Sequence, residues 1–298
     1  MAPVGELAAL LSAATWSGTS VALTSLGSRV SPAALSTLRL SVASLLLPFI
    51  LIATGGVHEI TSASLATIAG IAGSGIVAYA VGDTIYIHAL KSVGMQRTFP
   101  VTMALFIAFT VTGGIVLLGE DFAWGLVGGA VLIGIGIWLL TLAGTARAGD
   151  LAGPQRLQPR ALLHLLAVGI IWTCATLWLA AAANDMGAVP ANTLRASASC
   201  LSLIVFTVAT DRPGLAAPFR NRTYLLAILA AGLVGTLFGS LAYVYAVTTA
   251  GAARTAVLQS TAPLMALPLS VIFLREPLTR RAVGGTLACV AGILLVVA

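Results

Sequence analysis
The side chains with the most chemistry to offer are few, and they lie inside apolar runs. Asp83 follows Tyr79 by four residues and precedes Tyr86 by three, an i, i+4, i+7 series that puts a carboxylate and two phenols on one helix face. A charge at the centre of a membrane span costs about 2.5–3.5 kcal/mol on insertion scales, so such acids are kept mainly where they pair, line water or relay protons. Two readings stand for Asp83: a protonatable group in a cavity wall, or an acid that bonds a neighbouring helix or reaches the interface. Trp16 and Trp172 fall mid-run, away from the interfacial belts where tryptophan anchors a span. They suit a cavity lining or a stacking surface for an aromatic or cationic solute, with plain packing against glycine-rich neighbours as the alternative.

Thr98, Pro100 and Thr102 share one run, and Thr255, Gln259, Ser260, Pro263 and Pro268 share another. Proline removes an N–H and frees a carbonyl, so kinks here would widen a cavity to which Thr102 and Gln259 present uncharged contacts. Kinks of a purely structural kind remain the alternative. Arg39, Arg195, Glu120 and Glu276 permit two ion pairs, Arg39 with Glu276 and Arg195 with Glu120, one at each face, acting as gates. Snorkelling arginines and interfacial glutamates that fix helix ends are the plainer reading.

Other chemistries find no support. Cys174, Cys200 and Cys289 sit in apolar runs at spacings that fit neither a metal site nor a disulfide framework, and read as small buried apolar residues. His58, His88 and His164 stand on separate elements with no partner motif. There is no Gly-x-x-x-x-Gly-Lys-Ser/Thr loop. No metal or cofactor is expected.

The elements that must hold these residues follow from composition. Of 298 residues, 59% are hydrophobic and 8% are Asp, Glu, Lys or Arg, whereas a soluble domain carries roughly a quarter charged residues. That excludes an ordinary soluble enzyme. The net charge of +6 would suit nucleic acid only if the basic residues clustered on a water-facing surface, and they sit instead in short connections. Spans of about 20 apolar residues are read at Val4 to Leu26, Ala33 to Thr54, Leu65 to Leu90, Thr98 to Leu118, Phe122 to Gly144, Leu162 to Ala183, Ala191 to Thr210, Tyr224 to Val247, Thr255 to Leu274 and Ala282 to Ala298. The reading is all-α and polytopic, with ten transmembrane helices. Gly-x-x-x-Gly spacings at Gly125/Gly129 and Gly235/Gly239 favour close helix contacts within one chain.

The chain is internally duplicated. An offset of 156 lays Trp16 on Trp172, Arg39 on Arg195 and Glu120 on Glu276, and an offset of 157 lays Gly82, Tyr86 and Gly94 on Gly239, Tyr243 and Gly251. Such rare residues do not coincide by chance at one spacing. Residues 1–146 form the first five-helix repeat, 147–160 a linker and 161–298 the second repeat. An odd number of spans per repeat inverts the second copy, the arrangement of carriers that expose a midplane site to either side in turn. Asp83 has Ser240 as its counterpart, so the acid lies outside the repeated frame, which suits a coupling or substrate role. Twelve of the 15 Lys and Arg fall on one side, Arg254 alone on the other. By the positive-inside rule both termini then lie outside the cytoplasm of an inner (plasma) membrane protein.

Trp16, Pro32 with Arg39, Leu118-Gly119-Glu120 and the closing Phe273-Leu274-Arg275-Glu276-Pro277-Leu278 before Gly284-Gly285 resemble the drug/metabolite transporter superfamily, in particular its ten-helix EamA-type members. The resemblance covers nearly the whole chain. It implies a secondary carrier exporting amino acids or related small metabolites by alternating access, with the first, third, fourth, sixth, eighth and ninth spans lining a central cavity and the fifth and tenth peripheral. Candidate substrate contacts are Trp16, Tyr79, Asp83, Tyr86, Thr102, Trp172, Tyr243 and Gln259. The expected partners are a small-molecule substrate, a proton as coupling ion and membrane lipid, with the monomer as the working unit and no nucleic acid. A membrane enzyme acting on a lipid or lipid-linked substrate is the competing reading.

Overall fold
The computed structural model describes residues 4–26, 30–93, 95–145, 159–183, 186–262, 264–265 and 280–297. Glu276, Pro263, Pro268, most of the linker and the far end of the ninth span lie outside them. Among the described residues all regular structure is helical.

Helix α1 (Val4–Leu26) is followed by α2 (Pro32–Ala53). The Ser31 hydroxyl accepts from the Ala34 amide at 3.3 Å, and Pro32 fills the first turn, where its missing N–H is harmless. A short helix, α3 (Val57–Ser62), precedes α4 (Leu65–Gly75), capped by Ser64 at the Thr67 amide (3.1 Å). Helix α4 runs through a π-helical stretch, Ile76–Gly82, into α5 (Asp83–Val93). Helices α6 (Met95–Leu118) and α7 (Trp124–Thr145) complete the first half. The second half holds α8 (Pro159–Ala182), α9 (Ala188–Thr210) and the short α10 (Arg212–Ala216). Helix α11 (Arg222–Ala231) continues through a second π-helical stretch, Gly232–Gly239, into α12 (Ser240–Ala250). Helices α13 (Ala252–Gln259) and α14 (Arg280–Val297) follow.

Among the described residues six helices are long and apolar enough to cross a membrane, and shorter apolar helical stretches lie at Trp124–Leu139 and Val283–Val296. Their outward faces are apolar: Phe49, Leu117 and Trp124 are 71%, 73% and 81% exposed. The interior holds Ser12, Ser20, Arg39, Asp83, Asn192 and Arg195. Apolar outside and polar within is the reverse of a water-soluble globule, and matches a bilayer as the solvent.

Equivalent helices of the two halves pack against each other in opposite directions. On α7 and α14 a methyl group added at Gly129 would meet the Gly292 carbonyl, and one at Gly136 the Gly285 carbonyl. The 156-residue offset converts each of these contacts into the other, so an approximate two-fold axis passes between the two helices. Helices α2 and α9 likewise run antiparallel, joined by Thr37 to Thr207 (2.8 Å) and Ser41 to Cys200 (3.5 Å). The two π-helical stretches are also equivalent, since Gly82 and Gly239 end them. Each glycine lets the widened helix approach the mid-span of the opposite half, Gly82 against Trp172 and Gly239 against Thr15. Isolated π-helical turns interrupt the regular i→i+4 pattern and concentrate at functional sites.

Candidate functional site
Where the two π-helical stretches meet α1, α2, α6, α8, α9 and α13, the molecule has a partly open central cavity of about 100 Å³. Its wall carries both polar and aromatic groups. Asp83, 8% exposed, opens α5 at the C-terminal edge of the first π-helical stretch. One of its carboxylate oxygens accepts from Arg39 Nη2 at 3.4 Å and the other from Trp172 Nε1 at 3.2 Å. Arg39 Nε donates to Thr236 Oγ1 at 3.2 Å, and its guanidinium stands 5.6 Å from the Trp16 ring. The acid, a cation from the same half and an indole from the other half thus form one network. Within low-dielectric surroundings each member raises the cost of removing another.

Arg195, 1% exposed, is held differently. Its Nη1 donates to Ser74 Oγ at 2.8 Å and its guanidinium lies 5.1 Å from the Tyr79 ring. Tyr79 in turn donates to Asn192 Oδ1 at 3.4 Å, and Asn192 Nδ2 donates to Ser240 Oγ at 2.7 Å. The position equivalent to Asp83 is therefore filled by an amide-bonded serine.

Of the expected contacts, Trp16, Tyr79, Asp83, Trp172, Tyr243 and Gln259 line this cavity. Trp16 and Trp172 are edge-on at 6.0 Å, and the Tyr243 hydroxyl meets Thr176 Oγ1 at 2.5 Å. Tyr86 does not line the cavity. It is fully buried behind the wall, 4.9 Å from the Trp172 ring and 5.7 Å from Trp16. The i, i+4, i+7 reading assumed an unbroken α-helix, and the π-helical stretch through Tyr79 turns the downstream face away. Thr102 is also off the wall, its hydroxyl donating to the Thr98 carbonyl one turn back (2.8 Å).

The two gate pairs fare differently from expectation. Arg195 and Glu120 are not partners: Arg195 bonds Ser74, while Glu120 accepts from the amides of Ala252 (2.6 Å) and Ala253 (3.0 Å) at the start of α13. A carboxylate suits a helix N-terminus, whose first amides lack partners. Arg39 bonds Asp83, and Glu276 lies outside the described residues. Helices α2 and α9 thus join the cavity wall through their arginines. Each arginine is seven residues past the first residue of its helix, about 10 Å inside at 1.5 Å per residue, which is deep for a snorkelling side chain. His88 on α5 and His164 on α8, on separate helices as read, have rings 5.3 Å from each other. Among the described residues no group of three His, Cys, Asp or Glu could hold a metal ion.

Two further carboxylate contacts join the halves at the Glu120 face. Glu59 accepts from the Gly187 amide just ahead of α9 (2.6 Å), and Glu6 pairs with Arg254 at 3.1 Å.

A helical molecule with an apolar exterior, duplicated halves and a charged central cavity defines an integral membrane protein built to handle small solutes. The chain belongs to the EamA-like transporter family, whose model matches residues 3–142 and again residues 159–298. Members of that family are membrane transporters of small solutes, not enzymes. A solved crystal structure, described only as that of a protein, shares the fold with a TM-score of 0.76 and 18% identity over 98% of this chain and 95% of its own. No curated protein matches.

Proposed function
We propose that the chain is a secondary carrier that exports amino acids or related small metabolites by alternating access through the central cavity. In this reading ten spans form two inverted halves, the monomer is the working unit, and the Arg-rich face is cytoplasmic. The observation that carries it is the Arg39–Asp83–Trp172 network, which joins both halves at the cavity wall. Polar groups buried this deep in a bilayer are retained mainly where a solute or ion passes. The antiparallel packing of equivalent helices supports the rocking of one half against the other.

The contacts of Glu6, Glu59 and Glu120 all tie the first half to the second on the N-terminal face. They support a conformation shut on that face, which must break them to open. Glu120 is accommodated by Gly114 and by Gly251, whose φ of 86° suits glycine. Asp83, the one acid among the lining residues, is the group proposed to couple transport to protons.

Proteoliposome uptake of labelled amino acids, with and without a pH gradient, tests the reading. Saturable uptake driven by the gradient, with the gradient dependence lost in Asp83→Asn, is the expected result. Vesicles that move no solute under any gradient would end it.

A further inference from the structure
The cavity holds two guanidinium groups and one carboxylate. Each oxygen of Asp83 has one partner, Arg39 for one and Trp172 for the other. Arg195 forms no ion pair with any described acid, and it is buried at 1% exposure. Its Nε hydrogen has no acceptor, nor has Nη1 of Arg39. Buried N–H groups of a charged side chain are rarely left unmade, because desolvating them without a partner is costly. Both guanidiniums line the same cavity, whose lining carries a net positive charge. Its remaining walls include the apolar faces of Trp16, Met103, Phe106 and Trp172.

On the reading of this cavity as the transport site, we infer that the solute carries a carboxylate, bound at the free N–H groups of Arg195 and Arg39, on an apolar or aromatic body. Carboxylate is an acceptor that guanidinium geometry fits, through parallel or shared charge-assisted bonds. It also supplies the negative charge that the cavity lacks. Asp83 pairs with Arg39 and makes no ion pair with Arg195. The solute's amino group, if it has one, meets Gln259, whose Oε1 is buried and unbonded.

The test uses the full chain in lipid nanodiscs and isothermal calorimetry with four probes that share a benzyl body. Phenylacetate and L-phenylalanine carry the carboxylate, while phenylacetamide and phenylalaninamide do not. The expected result is binding of one or both carboxylate probes at least about tenfold tighter than their amides, the loss of one charge-assisted contact. Arg195→Gln should erase that ratio, and Arg195→Lys, which keeps the charge without the fork, should retain part of it. Phenylacetate bound as well as phenylalanine assigns a plain monoanion; phenylalanine alone assigns an amino acid with Gln259 as the second contact. Equal binding of carboxylates and amides, no binding of any probe, or an unchanged ratio in Arg195→Gln overturns the inference. Uptake of neutral solutes by the same protein in vesicles would then leave the carrier reading standing, whereas the absence of all uptake would remove both.

Discussion
Arg39 and Arg195 occupy equivalent places in the two halves, each seven residues into its helix and each packed against an aromatic ring. Around Arg39 the chain supplies a counter-charge, Asp83, and an indole to hold it. Around Arg195 it supplies only hydroxyl, phenol and amide groups, ending at Ser240 where the acid would be. The frame is symmetric and the charge is not. A carrier needs the first property to present similar conformations to both sides, and the second to give its cavity a chemical preference. The difference teaches that duplication fixes the scaffold, and that single substitutions against the repeat set the chemistry.

The comparison breaks most visibly at Asp83. Removing it as Asp83→Ala leaves Arg39 buried without its anion, a change that costs about 3–5 kcal/mol in buried pairs of soluble proteins. A large fall in melting temperature in detergent is expected. The double change Asp83→Leu with Arg39→Leu should recover most of it, since an apolar pair leaves no orphan charge. Arg195→Leu should cost less than Asp83→Ala, because it strands no carboxylate and Ser74 keeps its bond to the Ile71 carbonyl at 2.7 Å. If Arg195→Leu proved the more destabilising, the two arginines would not differ as described.

Away from the arginines the expected effects shrink. Glu120→Gln weakens two charge-assisted bonds at the start of α13, about 1–3 kcal/mol in all. Cysteine-accessibility labelling of cavity positions from the N-terminal face should rise in that variant; unchanged labelling would dissociate Glu120 from closure. The smallest effect belongs to Tyr86→Phe, which should alter solute affinity by less than about twofold, within the range of a peripheral hydroxyl. Tyr79→Phe, which removes the bond from a cavity-wall residue to buried Asn192, should exceed it.

Much of this was legible from residue type and spacing. Tryptophan is scarce, so Trp16 and Trp172 at one offset exposed the duplication; of the two readings open for Asp83, a cavity-wall group or a bond to a neighbouring helix, the structure shows both at once. What stayed hidden depended on backbone irregularity and on depth. Tyr86 shares a face with Tyr79 only in a regular α-helix, and nothing in the Ile76–Gly82 sequence announces the wider turn. Of the two readings of Glu120, partner of a cation or a glutamate that fixes a helix end, the structure shows the second, at the first amides of α13. The arginines were assigned to the interface because long basic side chains usually reach it, and α9 begins at Ala188, ahead of the span read from Ala191, which puts Arg195 deeper than the sequence indicated.

Moving the acid from one half to the other addresses the central claim most directly. Asp83→Ser combined with Ser240→Asp keeps the cavity's net charge and exchanges the roles of Arg39 and Arg195. Proteoliposome uptake by the exchanged chain should exceed that of either single variant. Uptake no greater than that of Asp83→Ser alone would contradict a symmetric frame with a transferable charge.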